Sequence, residues 1–250
     1  MTSYAPSVRF ARTAVAALGA GALLAGCSFG DGPQKTASAD ATVTEAVSAV
    51  EVTGARAGSI EVVAGAGPGV GIRRTVHYRG DAVPTPGQRV TGGVLSFDNG
   101  CSGSCYIDYR LEVPASATVR LESSSGRITV TGVAGADVQA DSGAVTAERI
   151  AGPLKVRTSS GPITAGGLAG PSAHLRSDSG DTRVEFSRAP ASVDAETSSG
   201  NVTLKVPSSA YRIEVSTTSG DREVTLPTDP AAPSHLSART TSGDVRLSAV

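Results

Sequence analysis

TSSGNVTLKV, residues 197–206, sets a small polar turn in front of a run in which Val202, Leu204 and Val206 alternate with Thr203 and Lys205. Strict alternation of this kind marks a strand with one buried face. Close variants recur along the chain: SSSGRITV from Ser123, TSSGPITA from Thr158, SDSGDTRV from Ser177, TTSGDREV from Thr217 and TTSGDVRL from Thr240. Such a recurrence can be a row of active-site serines, a row of ligand sites or an architectural device. Ser-Gly pairs end at Gly126, Gly143, Gly161, Gly180, Gly200, Gly220 and Gly243, so successive glycines are 17, 18, 19, 20, 20 and 23 residues apart. A nearly constant period of this length is the signature of a repeat architecture.

Aligned on these glycines, the chain resolves into columns. Two and four residues downstream stand mostly apolar side chains, among them Ile128 and Val130, Ile163 and Ala165, and Val202 and Leu204, with Thr, Arg or Glu between them. Arg222 breaks the first of these columns and reads as a bulge or an end effect. Seven and five residues upstream, all seven repeats are apolar, from Val119 and Leu121 to Leu236 and Ala238. Each period therefore holds two short strands, joined on the far side in the first three repeats by Ala134-Gly135, Ala151-Gly152 and Ala169-Gly170. Columns of like residues predict an all-β fold, a β-solenoid of short two-strand coils stacked in register. The alternative is an antiparallel β-sandwich of consecutive hairpins.

Upstream, AGSIEVV (57–63) is a degenerate copy of the unit, with Ile60 and Val62 in the core columns. The segment that follows carries longer strands and the aromatics Tyr78, Phe97, Tyr106 and Tyr109. It is expected to form an antiparallel capping sheet over the N-terminal end of the stack, as terminal repeats require. The other end shows no comparable segment, which leaves end-to-end self-association through residues 245–250 as an expectation. The expected layout is a signal peptide over 1–26, a lipidated tether over 27–46 and a β-strand-repeat domain over 47–250. Within that domain, 64–115 is the capping region and 116–250 the regular repeats.

The N-terminal reading rests on Arg9 and Arg12, an uncharged run from Thr13 to Gly26, and then Cys27. The run is about 14 residues, short of the roughly 20 that span a bilayer, and it reads as an export signal. Leu24-Ala25-Gly26-Cys27 resembles a bacterial lipobox, which implies lipidation of Cys27 and a lipid anchor on the extracytoplasmic face of the cell membrane. Cleavage removes two arginines and no acids, so the formal charge moves from −1 to about −3, which offers nucleic acid no electrostatic attraction.

Cys101 and Cys105 are the remaining cysteines. In an oxidising compartment they are expected to form a disulfide that pins a hairpin tip. His77, His174 and His235 stand far apart in the sequence, so no metal site and no cofactor is expected. A nucleophile elbow, G-x-S-x-G, occurs at none of the repeat corners.

The tandem T-S-G-D/N-V-x-L units, the stretch CYIDYRLEVP (105–114) and the lipobox resemble the bacterial putative-adhesin family of β-strand-repeat lipoproteins, a family of unknown biochemical function. The resemblance spans Val47 to Val250. It implies an exported, β-solenoid-like domain and brings no catalytic residues. A polysaccharide-active solenoid enzyme would need clustered carboxylates. Asp178, Asp181 and Asp221 lie in or beside the turn columns and form the one candidate corner for a weak ligand. The leading expectation is a non-catalytic, lipid-anchored envelope module that binds an envelope glycan or protein. The alternative is an accessory protein of an envelope-stress system that recognises a protein partner.

Overall fold

The computed structural model describes residues 33–98, 100–101 and 103–250. The signal peptide, Cys27 and the first part of the tether lie outside the described residues. The N-terminal region contains β1 (Lys35–Val43), β2 (Ala49–Ala57), β3 (Ile60–Gly65), β4 (Val70–Tyr78), β5 (Gln88–Thr91), β6 (Val94–Phe97) and β7 (Tyr106–Pro114). The regular coils follow as strand pairs: β8 (Thr118–Ser125) with β9 (Ile128–Thr131), β10 (Gly135–Ser142) with β11 (Val145–Glu148), and β12 (Leu154–Ser160) with β13 (Ile163–Leu168). Next come β14 (Ser172–Ser179) with β15 (Thr182–Phe186), and β16 (Ser192–Ser199) with β17 (Val202–Val206). The last two pairs are β18 (Arg212–Ser219) with β19 (Arg222–Val224), and β20 (His235–Ser242) with β21 (Val245–Ala249). No helix occurs among the described residues.

Within the regular coils every ladder is parallel, and equivalent repeat positions face each other, as with Val138 beside Val156 and Leu121. This is the solenoid and not the antiparallel sandwich. The first strand of each coil joins one sheet and the second strand joins the other, so the two core columns meet between the sheets. Ile128, Val145, Ile163, Val202 and Val245 are all buried, as are Leu121, Val138, Val156, Leu175 and Leu236.

The glycine column explains the recurring corner. Gly126, Gly143, Gly161, Gly180, Gly200, Gly220 and Gly243 all have φ between 140° and 151°, where side chains with a Cβ are strained. A Cβ there would also run into the carbonyl of the corner glycine in the adjacent coil, so each repeat imposes glycine on the next.

Stacking order departs from chain order at both ends. The last coil of the sequence, β20–β21, lies between β16–β17 and β18–β19. The outermost pair is therefore β18–β19, and residues 245–249 are an interior strand with neighbours on both edges. This corrects the expectation of an open edge at 245–250. It also assigns the break at Arg222 to an end effect, since β19 is an exposed edge strand.

At the other end, β2–β3 stacks on β8–β9, and β6 and β7 pair parallel to β2 and β3 as one further, irregular coil outside it. Antiparallel β4 and β1 extend one sheet, and antiparallel β5 extends the other. The cap is thus antiparallel only in its outer strands. β1 also corrects the tether over 27–46. The segment Lys35–Val43 is a strand, because Ala37, Ala41 and Val43 pack against the core and its backbone pairs along β4.

Candidate binding surface

Ser199 is an exposed corner residue, while Thr197, three positions before the glycine, is buried and donates its hydroxyl to the carbonyl of Gly180 at 3.1 Å. Thr240 and Thr217 do the same to Gly200 and Gly243, each at 2.9 Å.

One position after the glycine, a second ladder runs along the corner. Asp181 Oδ1 accepts from the Asn201 amide at 3.0 Å, Asn201 Oδ1 from the Asp244 amide at 2.8 Å, and Asp244 Oδ1 from the Asp221 amide at 3.1 Å. Asp181 Oδ2 also takes Arg183 Nη2 at 2.8 Å. The Asn201 amide, opposed by burial and helped by Arg183, holds the Asp181 carboxyl below its ordinary pKa.

The structure does not bring the three residues of the predicted ligand corner together on one coil. Asp181 and Asp221 are separated by the Asn201 and Asp244 coils, about 14 Å at strand spacing, and the Asp181 carboxylate and the Asp221 backbone amide serve the ladder. Asp178 stands exposed on β14, before its corner. No group of three metal-ligating side chains forms among the described residues.

Cys101 and Cys105 are disulfide-bonded, with Cα atoms 5.3 Å apart. The bridge closes the turn between β6 and β7, which lie in different sheets. It therefore fastens a coil corner, the place taken by Ser-Gly in regular coils, and not a hairpin tip.

Each histidine lies beside a carboxylate on an adjacent strand. His77 Nε2 is 2.8 Å from Asp108, His174 Nδ1 is 3.2 Å from Asp194, and His235 Nε2 is 3.3 Å from Glu214. Around Asp108 this gives serine, carboxylate and imidazole in one cluster: Ser59 donates both its amide and its hydroxyl to Asp108 Oδ1, at 2.7 and 2.8 Å. Burial raises the Asp108 pKa, but the Ser59 and His77 contacts together hold it below the ordinary value. The order is wrong for nucleophilic catalysis, which needs the imidazole between hydroxyl and carboxylate. Here the carboxylate is in the middle, and His77 is stacked on Tyr106 at 4.3 Å.

A groove of about 530 Å³ lies on the outer face of the sheet containing β2, β8, β10, β12, β14 and β16. One wall is a single repeat column, Glu51, Arg120, Asp137, Lys155, His174 and Asp194, each in register with the next. Small or compact residues at Thr118, Gly135, Pro153, Ser172 and Ser192 form the line beside it. Six strands at about 4.8 Å give a length of about 24 Å along the stack. Lys155 pairs with Asp137 at 3.5 Å, and both are partly exposed. The sequence reading missed this wall, although the column six residues before each glycine contains five of its six members.

The family model for Toastrack DUF4097 matches residues 99–248, more than half of the chain. No curated protein sequence matches it. Among solved structures, it is similar to a putative adhesin from Parabacteroides distasonis ATCC 8503, at 13% identity and a TM-score of 0.50, covering 86% of this chain and 97% of that one. It is also similar to a putative adhesin from Bacteroides fragilis NCTC 9343, at 13% identity and a TM-score of 0.43, with the same coverage. A putative cell adhesion protein from Clostridium sporogenes ATCC 15579 matches at 8% identity and a TM-score of 0.36, covering 86% of this chain and all of that one. At these identities the first of the three speaks for the fold alone.

Proposed function

We propose that this chain, which belongs to the Toastrack DUF4097 family, is a non-catalytic, adhesin-like module that lies on the cell surface and holds an extended envelope polymer along its stack. The observation that carries this reading is the groove of about 530 Å³, whose charged wall crosses six strands in register. Parallel ladders fix that wall rigidly, so a long partner meets charges at a constant spacing without first ordering them. The lipid anchor at Cys27 and the extracytoplasmic location belong to the same proposal, supported by the lipobox-like sequence. So does the non-enzymatic role, supported by the relay-incompetent order around Asp108 and by the structural use of the Asp181 and Asp244 carboxylates.

The test is a screen of the purified protein against envelope glycans and extended peptides, followed by the double charge reversal Arg120→Glu/Lys155→Glu. Both residues are exposed, so the fold is expected to survive while affinity falls at least tenfold. Unchanged affinity in that variant removes the groove from the reading, and reproducible turnover of a glycan ends the non-catalytic assignment.

A further inference from the structure

Over its first four strands the groove wall alternates strictly in sign. Glu51 on β2, Arg120 on β8, Asp137 on β10 and Lys155 on β12 stand in one register column. Anion, cation, anion and cation therefore follow one another at the strand spacing of about 4.8 Å. The side chains of Arg120, Asp137 and Lys155 are 53%, 36% and 52% exposed, so a partner can reach them. Arg120 meets Glu122 at 2.8 Å and Lys155 meets Asp137 at 3.5 Å. Exposed pairs of this kind hold little energy, and a partner can take over their charges at small cost. Beyond Lys155 the alternation ends in the His174–Asp194 pair, 3.2 Å apart.

The trough beside the wall is floored by small or compact side chains, Gly135, Pro153 and Ser172 among them. No Phe, Tyr or Trp occurs among the described residues that line it, so a partner is read there by charge and hydrogen bonding and not by ring stacking. A volume of about 530 Å³ spread over about 24 Å is a channel about 22 Å² in section. That takes one extended chain and not a helix, whose diameter is about 10–12 Å.

Extended chains differ in their repeat. An extended peptide shows same-face side chains about every 6.8 Å. Between Glu51 and Lys155 it places one side chain where the wall has two, of opposite sign. A flat β-(1→4)-linked pyranose ribbon advances by about 5 Å per sugar, close to one strand spacing. Successive sugars in such a ribbon are turned over, so one edge shows C6 of one sugar and then C2 of the next. Where hexuronic acid alternates with a free 2-amino sugar, that edge carries carboxylate and ammonium in turn.

We propose that the groove holds a zwitterionic glycan of this class, with ammonium groups on Glu51 and Asp137 and carboxylates on Arg120 and Lys155. A uniformly anionic chain would meet Glu51 and Asp137 with like charge, and a uniformly cationic one Arg120 and Lys155. This inference rests on the reading of the groove as a polymer site and names the class of polymer.

The experiment titrates the full chain by calorimetry at low ionic strength, where surface charges are least screened. The probes are synthetic β-(1→4)-linked oligosaccharides of two, four and six sugars that alternate glucuronic acid with glucosamine. Affinity is expected to rise about tenfold or more from the disaccharide to the tetrasaccharide, which spans Glu51 to Lys155, and to change little at the hexasaccharide. The N-acetylated hexasaccharide, which keeps only the carboxylates, should bind about tenfold more weakly or worse, as should a glucosamine hexamer and a Lys-Thr-Glu-Thr repeat peptide. The decisive variant is Asp137→Lys/Lys155→Asp. It keeps the net charge and the ion pair but breaks the alternation, and should cost about tenfold or more in affinity for the zwitterionic tetrasaccharide. Arg120→Gln, a milder change on the same exposed face, should cost about fivefold. Circular dichroism and the thermal midpoint check that both variants fold. No binding of the zwitterionic oligosaccharides, equal binding of the N-acetylated form, or unchanged affinity in both variants overturns the proposal. If the N-acetylated glycan or the peptide binds best and weakens in Arg120→Glu/Lys155→Glu, the groove remains a polymer site and only the polymer class falls. If neither these probes nor any envelope polymer binds, both readings fall.

Discussion

The two ends of the stack solve the same problem by different means. At the N-terminal end the outermost coil, β6–β7, is covered by β1, β4 and β5 and closed by a disulfide, with Tyr78, Phe97 and Tyr109 in its core. At the C-terminal end no strand among the described residues pairs outside β18–β19, Ile213 and Val215 are only partly buried, and Val224 is 39% exposed. That end is held instead by side-chain ladders between corners. The threonine-to-glycine bonds join Thr197, Thr240 and Thr217 to their neighbours, and the Asp181–Asn201–Asp244–Asp221 chain runs beside them. Toward the cap the equivalent hydroxyls of Ser123, Thr158 and Ser177 are buried without partners. Covering strands do at one end what hydrogen-bonded corners do at the other.

The ends share one device. In each, the outermost coil is not the one nearest the chain terminus: β2–β3 lies inside β6–β7, and β20–β21 lies inside β18–β19. A terminal coil paired on both sides cannot fray alone. The sharpest test of this is a pair of deletions. Removing residues 234–250 takes Leu236, Val245 and Leu247 out of the core and strips β18–β19 of its neighbour, at a cost of about 6 kcal/mol from lost burial. Removing residues 33–45 withdraws one buried side chain, Val43, with two partly buried alanines, and should cost about 2 kcal/mol. Urea unfolding of both variants checks the ratio. A C-terminal deletion as stable as the full chain would mean that β18–β19 drops into the vacated place on β16–β17.

The corner glycines give the next largest effect. Gly243 is interior and its corner presses on Gly200, whereas Gly220 presses on Gly243 from the outermost coil. Gly243→Ala should cost about 3 kcal/mol or more, through backbone strain and a clash that two flanking coils prevent from relaxing. In Gly220→Ala the outer coil can move away from the stack, and the cost should fall to about 1–2 kcal/mol. Equal losses, measured by thermal unfolding, would show the outer coil to be as firmly held as the interior.

These effects also mark how far the sequence could be read. The coil, its glycine corner and its core columns follow from residue spacing alone, because alternation and φ preference are local properties. The order of the coils does not. TTSGDREV and TTSGDVRL present the same corner to any neighbour, so no local feature says which stacks first. The only hints were Arg222 in a core column and the longer interval of 23 residues before Gly243. The strand at 35–43 was missed for a related reason, since its alternation is carried by alanines and one valine. Of the candidate sites, the pairing of Cys101 with Cys105 was legible from spacing. The charged wall became visible only when columns were compared across strands.

The disulfide separates the ends covalently. Its loop is short, so breaking it through Cys101→Ser/Cys105→Ser should lower stability by about 2 kcal/mol. Amide exchange should rise in β6 and β7 and stay unchanged in β18 to β21. Faster exchange at the far end would mean that the cap and the open end unfold as one unit, so that the two ends differ in packing and not in stability.

The smallest effects lie in the hydroxyl column, where one substitution should act with opposite signs at two places. Thr240 and Thr158 both stand three residues before a corner glycine, and both are buried. Thr240 Oγ1 donates to Gly200 at 2.9 Å, while Thr158 Oγ1 has no partner. Valine keeps the shape and removes the hydroxyl. Thr240→Val should therefore lose about 1 kcal/mol, the net value of one hydrogen bond. Thr158→Val relieves an unsatisfied buried group and should be neutral or gain up to about 1 kcal/mol. Paired denaturation curves resolve a difference of this size when the urea dependence is unchanged. If both variants lose equally, the hydroxyls nearer the cap are bonded in solution, and the corner ladder extends along the whole stack.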